Sequence, residues 1–169
     1  MTETTSTATR TDRHGVTVRH NFETAHRLPH LGGKCTNLHG HSWWVEVSAV
    51  APTLDSGTVV EFGTFKSALR SWIDTYLDHG AMLGFDDPMA KLLADHGSKL
   101  FRFGAPDPLP AEEPAGDLPH PTVEAVAVLL GRVAEEALSG LAHVPGARID
   151  TVSVTETHVN NAVWRNGPR

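Results

Sequence analysis

The chain has 169 residues, 40% hydrophobic and 20% charged, a length that suits one domain with its own core. Its 20 acidic and 14 basic residues leave a net charge of -6, which argues against nucleic acid as a main partner. The single cysteine excludes an internal disulfide framework and fits a reducing, cytoplasmic setting, and no apolar run approaches a membrane span.

Met1 to Asp12 is polar and rich in Thr, without the apolar middle of a signal peptide. It reads as a disordered tail, drawn over residues 1–14, before a single domain at 15–169. Val16 to Ala25 alternates as a strand does, and Leu28 to Asn37, with Pro29, Gly32 and Gly33, reads as a hairpin loop. A second strand runs from His39 to Val50. Pro52, Asp55 and Gly57 mark a turn, and Thr58 to Glu61 is short and strand-like. Thr64 is placed to cap a helix reaching Tyr76, with Phe65, Leu69, Trp72, Ile73 and Tyr76 at helical spacing. A short helix after Pro88 fits residues 86–97. Gly104 to Pro121 is rich in Pro, Gly and acid, and the stretch near 84–119 reads as an irregular insertion. Thr122 then caps a second long helix, with Glu124 in its first turn and an apolar stripe through Val126, Leu130 and Val133. Ile149 to Thr157 is the last long strand, with Val152, Val154 and Glu156 on one face. This order predicts an α+β fold with an antiparallel sheet.

The chemistry concentrates in three histidines and the one cysteine. Counting by twos from His26 gives Thr24, Phe22, His20, Val18 and Val16; from His39 it gives His41, Trp43, Val45 and Val47. Residues two apart on a strand share a face, so both sets belong to the apolar faces of their strands. No acidic residue accompanies them in register, so the trio is costly unless hydrogen-bonded or metallated. Three neutral imidazoles with an open fourth position make the ligand set of a catalytic zinc. Core histidines are the plainer reading. Cys35 lies four residues before His39, in the loop over that position. It reads as a reactive thiol, as a small buried hydrophobe, or as a fourth ligand that would close the site.

Two longer blocks carry a resemblance: Phe22-Glu23-Thr24-Ala25-His26-Arg27-Leu28-Pro29-His30 and Lys34-Cys35-Thr36-Asn37-Leu38-His39-Gly40-His41-Ser42. Gly57 to Phe62, Leu77-Asp78-His79, Pro121-Thr122-Val123-Glu124 and Val154-Thr155-Glu156-Thr157 follow in order. Over roughly residues 16 to 165 the chain resembles the 6-pyruvoyltetrahydropterin synthase superfamily. Within it, the pattern is most similar to the 6-carboxy-5,6,7,8-tetrahydropterin synthases of the 7-deazapurine (queuosine and preQ0) pathway.

The resemblance implies a tunnelling fold: a four-stranded antiparallel sheet with two helices on one face. It also implies a homo-oligomer, a hexamer built as a dimer of trimers. It assigns zinc to His26, His39 and His41, the catalytic base to Cys35, and proton transfer to Asp78 and His79 of a neighbouring subunit. Adjacent side chains seldom bond each other, so Asp78 and His79 are expected to engage different partners. Glu156 is implied as the anchor of the pterin ring. Thr122 and Glu124 match a family block and are weaker substrate-binding candidates, since a plain helix cap explains them. Arg27 and Lys34, with His158 and Arg165, are the cations available for a triphosphate, and His30 reads as loop packing or a phosphate contact.

The expected reaction converts 7,8-dihydroneopterin triphosphate to 6-carboxy-5,6,7,8-tetrahydropterin, releasing acetaldehyde and triphosphate, with neither nucleic acid nor membrane as partner. Alternatives are a 6-pyruvoyltetrahydropterin synthase and a non-catalytic pterin- or zinc-binding paralogue. Three residues separate Cys35 from His39, as in the carboxy enzymes, whereas animal pyruvoyl enzymes usually have five. Glu61 departs from the family's usual Asp, and Gly80 to Gly84 stands where an Asn is usual.

Overall fold

The computed structural model describes residues 13–167. The expected N-terminal tail lies outside them apart from Arg13 and His14, and His14 already opens the first strand, paired with Ala51. The elements are β1 (His14–His26), β2 (His39–Ala51), α1 (Phe62–Tyr76), β3 (Gly80–Gly84), α2 (Pro88–Asp95), β4 (Leu100–Phe103), α3 (Val123–Ser139), β5 (Arg148–Thr157) and β6 (Asn160–Arg165).

The class is α+β as expected, but the sheet has six strands rather than four, in the order β4-β3-β1-β2-β5-β6. The pairs β1–β2, β2–β5 and β5–β6 are antiparallel, whereas β1–β3 and β3–β4 are parallel. The added strands have physical reasons to escape a periodicity reading. In β3, Ala81 through Gly84 are all buried, the unbroken apolar signature of a parallel strand covered on both faces. β4 has four residues and lies inside the stretch expected to be an irregular insertion, which also holds α2. Thr58 to Glu61 forms no strand and makes only single bridges, Asp55 with Thr58 and Val60 with His143.

β1 and β2 pair without a register shift from His14↔Ala51 to His26↔His39. Their inward residues Val18, Phe22, Trp43, Val45 and Val47 are buried. α1 and α3 pack on this face and on each other through Phe65, Leu69, Ile73, Val126, Leu130 and Val133. α2 is a third helix, set against β3 and β4. α1 is capped three residues before the expected Thr64: the Glu61 carboxylate accepts from the N–H groups of Gly63 and Thr64, 2.8 and 2.7 Å. Those bonds hold the Glu61 carboxyl below the usual range. α3 begins as expected, Thr122 accepting from Ala125 N at 3.2 Å. Close packing fixes α3 over β6: a Cβ at Gly131 would meet the Trp164 ring at 2.5 Å.

Candidate active site

The β1–β2 register sets His26 opposite His39 and leaves His41 one inward position along. The imidazole centroids are 4.7 Å (His26–His39), 5.3 Å (His26–His41) and 4.9 Å (His39–His41) apart. One ring nitrogen from each lies within 4.8 Å of the other two. Trp43, fully buried, stands edge-on to His26 at 5.0 Å and bonds through its indole N–H to Thr24 O at 3.1 Å.

Two of the three rings are fixed from behind. His26 Nδ1 donates to Pro121 O at 2.9 Å, and His39 Nδ1 donates to Asn37 O at 2.8 Å. These bonds select the tautomer whose Nε2 lone pair faces the cluster. Nε2 of His26 and of His41 are buried and without a hydrogen-bond partner among the described residues. Burial depresses the pKa of both rings, against smaller upward effects that include Glu156. Neutral imidazoles with orphaned, convergent lone pairs fit a divalent cation such as zinc.

An acidic neighbour does exist, contrary to the in-register expectation, and it comes from β5. Glu156 Oε1 lies 3.3 Å from His26 Nε2 and 3.8 Å from His41 Nε2, with 16% of its side chain exposed. Its placement follows from an irregularity: Thr155 pairs with Asn161 and Thr157 with Asn160, so Glu156 is the unpaired residue of a bulge. Bulges re-aim side chains in this way next to functional sites.

Cys35 lies on the 3-10 turn Gly33–Thr36, half-buried, and is not part of the donor cluster, which among the described residues holds the three histidines alone. Its carbonyl accepts from Leu28 N at 2.7 Å, tying the turn back to the chain two residues beyond His26.

Asp78 and His79 bond each other, contrary to expectation: His79 Nδ1 meets Asp78 Oδ2 at 2.7 Å. A positive φ of 56° at His79 turns the chain so that the neighbouring side chains meet. Asp78 Oδ1 accepts from Glu23 N at 2.8 Å, and His79 N donates to Glu23 O at 2.6 Å. The His79 side chain is 78% exposed. An open cleft of about 320 Å³, lined by Glu23, Ala25, Gly40, His41, Ser42 and Gly80 among others, runs from Gly80, next to this pair, to His41.

The remaining candidates are scattered. Arg27 is drawn to Asp87, Nη1 to Oδ1 at 3.3 Å, with 15% and 4% of the side chains exposed, so its charge is already matched. Lys34, Glu124, His158 and Arg165 are exposed, and Thr122 is the α3 cap. His30 stacks on His120 at 3.8 Å and 15°, a loop-packing role. The Pro121 carbonyl was not singled out from the sequence: it contributes through its backbone and lies 95 residues from its partner.

A family model described as 6-pyruvoyl tetrahydropterin synthase matches residues 15–167. A Rickettsia typhi protein named 6-carboxy-5,6,7,8-tetrahydropterin synthase is 38% identical over 72 residues, 42% of this chain and 52% of the relative. The chain thus spans about half the length of that relative. An Aquifex aeolicus protein of the same name is 30% identical over 133 residues, 78% of this chain and 76% of the relative. Among solved structures, an uncharacterized protein from Wolinella succinogenes superposes with a TM-score of 0.67 at 20% identity, covering 92% of this chain and 99% of its own. The Caenorhabditis elegans 6-pyruvoyl tetrahydropterin synthase gives 0.61 at 18% identity, covering 94% and 99%. At these identities the structures speak for the fold.

Proposed function

Because the chain belongs to the 6-pyruvoyl tetrahydropterin synthase family, we propose that it is a zinc-dependent carbon-oxygen lyase. It converts 7,8-dihydroneopterin triphosphate and one water to 6-carboxy-5,6,7,8-tetrahydropterin, with release of acetaldehyde and triphosphate. The observation that carries the reading is the buried histidine cluster, with the Nε2 atoms of His26 and His41 convergent and unpartnered. Zinc held by His26, His39 and His41 would supply Lewis-acid polarisation of a substrate oxygen.

The protein's own groups then divide the work. Glu156 accepts from the adjacent N–H and NH₂ of the pterin ring, a bidentate match for a carboxylate. Cys35 takes a proton from a carbon of the substrate side chain. His79, oriented by Asp78, moves protons at the side-chain hydroxyls. The ring is reduced at the expense of its own side chain, so the overall change needs no external reductant. Lys34, exposed on the turn that carries Cys35, is better placed to meet a triphosphate than Arg27, whose charge Asp87 already matches. The reading carries a cytoplasmic hexamer of two trimeric rings, and no described helix is long and apolar enough to cross a membrane.

The test is mass spectrometry of the products formed from 7,8-dihydroneopterin triphosphate by the zinc-loaded protein, with Cys35→Ala alongside. The expected outcome is carboxytetrahydropterin and acetaldehyde from the wild type, lost in the variant. Pyruvoyltetrahydropterin would move the chain to the related synthase reaction. Unchanged substrate with zinc bound would leave a binding paralogue.

A further inference from the structure

α1 ends at Tyr76, where the last carbonyls of a helix lack intrahelical partners. The Lys99 ammonium, arriving from just before β4, donates to Asp78 O at 2.6 Å and to Asp74 O at 2.9 Å. A cation at a helix C-terminus is favourable in its own right. The Asp74 carboxylate is engaged elsewhere, by His20 Nε2 at 2.8 Å and Arg70 Nε at 3.1 Å, which leaves the lysine to the carbonyls. The Lys99 stem packs over Gly80, where a Cβ would come within 3.1 Å of Cγ and Cδ, and its carbonyl accepts from Ala81 N at 3.0 Å. Lys99 therefore grips the chain on both sides of His79, whose φ of 56° is one of two positive values among described non-glycine residues.

We infer that Lys99 is a positioning residue that holds the Asp78–His79 pair in its left-handed turn, with the His79 ring turned out to solvent. The inference rests on the reading that this pair moves protons. It deepens that reading by assigning a part to a residue just before β4.

The experiment uses the full zinc-loaded chain and the variants Lys99→Met, which keeps the stem and loses the donors, Lys99→Arg, which restores two donors, and His79→Ala. Lys99→Met is expected to lower kcat about tenfold with KM and zinc content little changed, and Lys99→Arg to recover most of it. In two-bond ¹H–¹⁵N spectra of the imidazoles, Lys99→Met should lose the hydrogen-bonded Nδ1 signature of His79 and Lys99→Arg should keep it. Should Lys99→Met fail to fold, Lys99→Gln, which retains one donor, takes its place with an intermediate effect expected. An unchanged His79 spectrum in Lys99→Met, or no recovery in Lys99→Arg, overturns the inference. If His79→Ala is fully active, the proton-transfer reading falls, while the spectra still decide whether Lys99 positions the ring.

Discussion

Glu156 has two candidate partners, the metal cluster and the pterin, and the geometry separates them. Its Oε1 faces His26 and His41 at 3.3 and 3.8 Å, yet it is not among the atoms that converge within 4.8 Å of one another. The expected behaviour is therefore that of a substrate anchor beside the ligands. Glu156→Gln should hold zinc within an order of magnitude of the wild type. It should weaken binding of an unreactive pterin such as neopterin by about 10- to 100-fold, the worth of charged hydrogen bonds. His26→Ala, by contrast, should lose the metal. Metal analysis after dialysis and a fluorescence titration with neopterin check both, and loss of zinc from Glu156→Gln to the same extent as from His26→Ala would make the carboxylate a ligand instead. At this scale the histidine trio was legible because strand parity places side chains, and Trp43 and Phe22 confirm the inward face. The approach of Glu156 was legible only as a face: the bulge that aims it comes from the pairing of Thr155 and Thr157 with β6, a strand the periodicity did not show.

The stretch from Gly104 to Pro121 shows how an irregular element is held without a ladder. Arg102 on β4 reaches back to Glu112, Nη2 to Oε2 at 2.7 Å and Nε to Oε1 at 3.1 Å, and to Asp107 at 3.2 Å. Glu112 is 3% exposed and also accepts from the backbone N–H of Leu109 at 2.9 Å and of Arg102 at 3.1 Å. Burial pushes the Glu112 carboxyl pKa up, but the bonds from Arg102 and from the two N–H groups outweigh it, and the net shift is downward. A depressed carboxyl stabilises the fold above its unfolded value, about 4.3, and that contribution is lost as pH falls through the lower folded value. Glu112→Gln should cost about 2 kcal/mol at pH 7, less than a fully buried pair would because Arg102 remains partly exposed. Urea unfolding at pH 7 and pH 3 checks the sign: the gap to wild type should narrow at pH 3, and an equal gap at both would refute the account. The prolines between Gly104 and Pro121 read as irregular in the sequence, and the one helical element described in this stretch is the 3-10 turn Glu113–Ala115. The sequence could not mark β4 beside it, because four residues give too few alternations to distinguish a strand, and a parallel edge depends on partners far away in the chain.

Taken as a whole, the molecule puts its two candidate chemistries on different ground. The histidines sit on the helix-facing side of the sheet, His26 fully buried, while Asp78 and His79 stand on the rim between α1 and β3 with the His79 ring largely in solvent. A proton carrier so exposed works in a water-excluded site only when something covers it, and desolvation is what strengthens its interactions. In the proposed oligomer that cover is a second copy, so one site draws Cys35 from one protomer and His79 from another. Cys35→Ala and His79→Ala should then be inactive alone and recover turnover when the two are unfolded together and refolded as a mixture. Activity returning only in the mixture, in fractions whose mass by light scattering exceeds that of one chain, is the expected result. If both variants stay inactive in a mixed assembly of normal zinc content, each site draws both residues from one chain, and the exposure of His79 calls for a motion of its own rim rather than a partner.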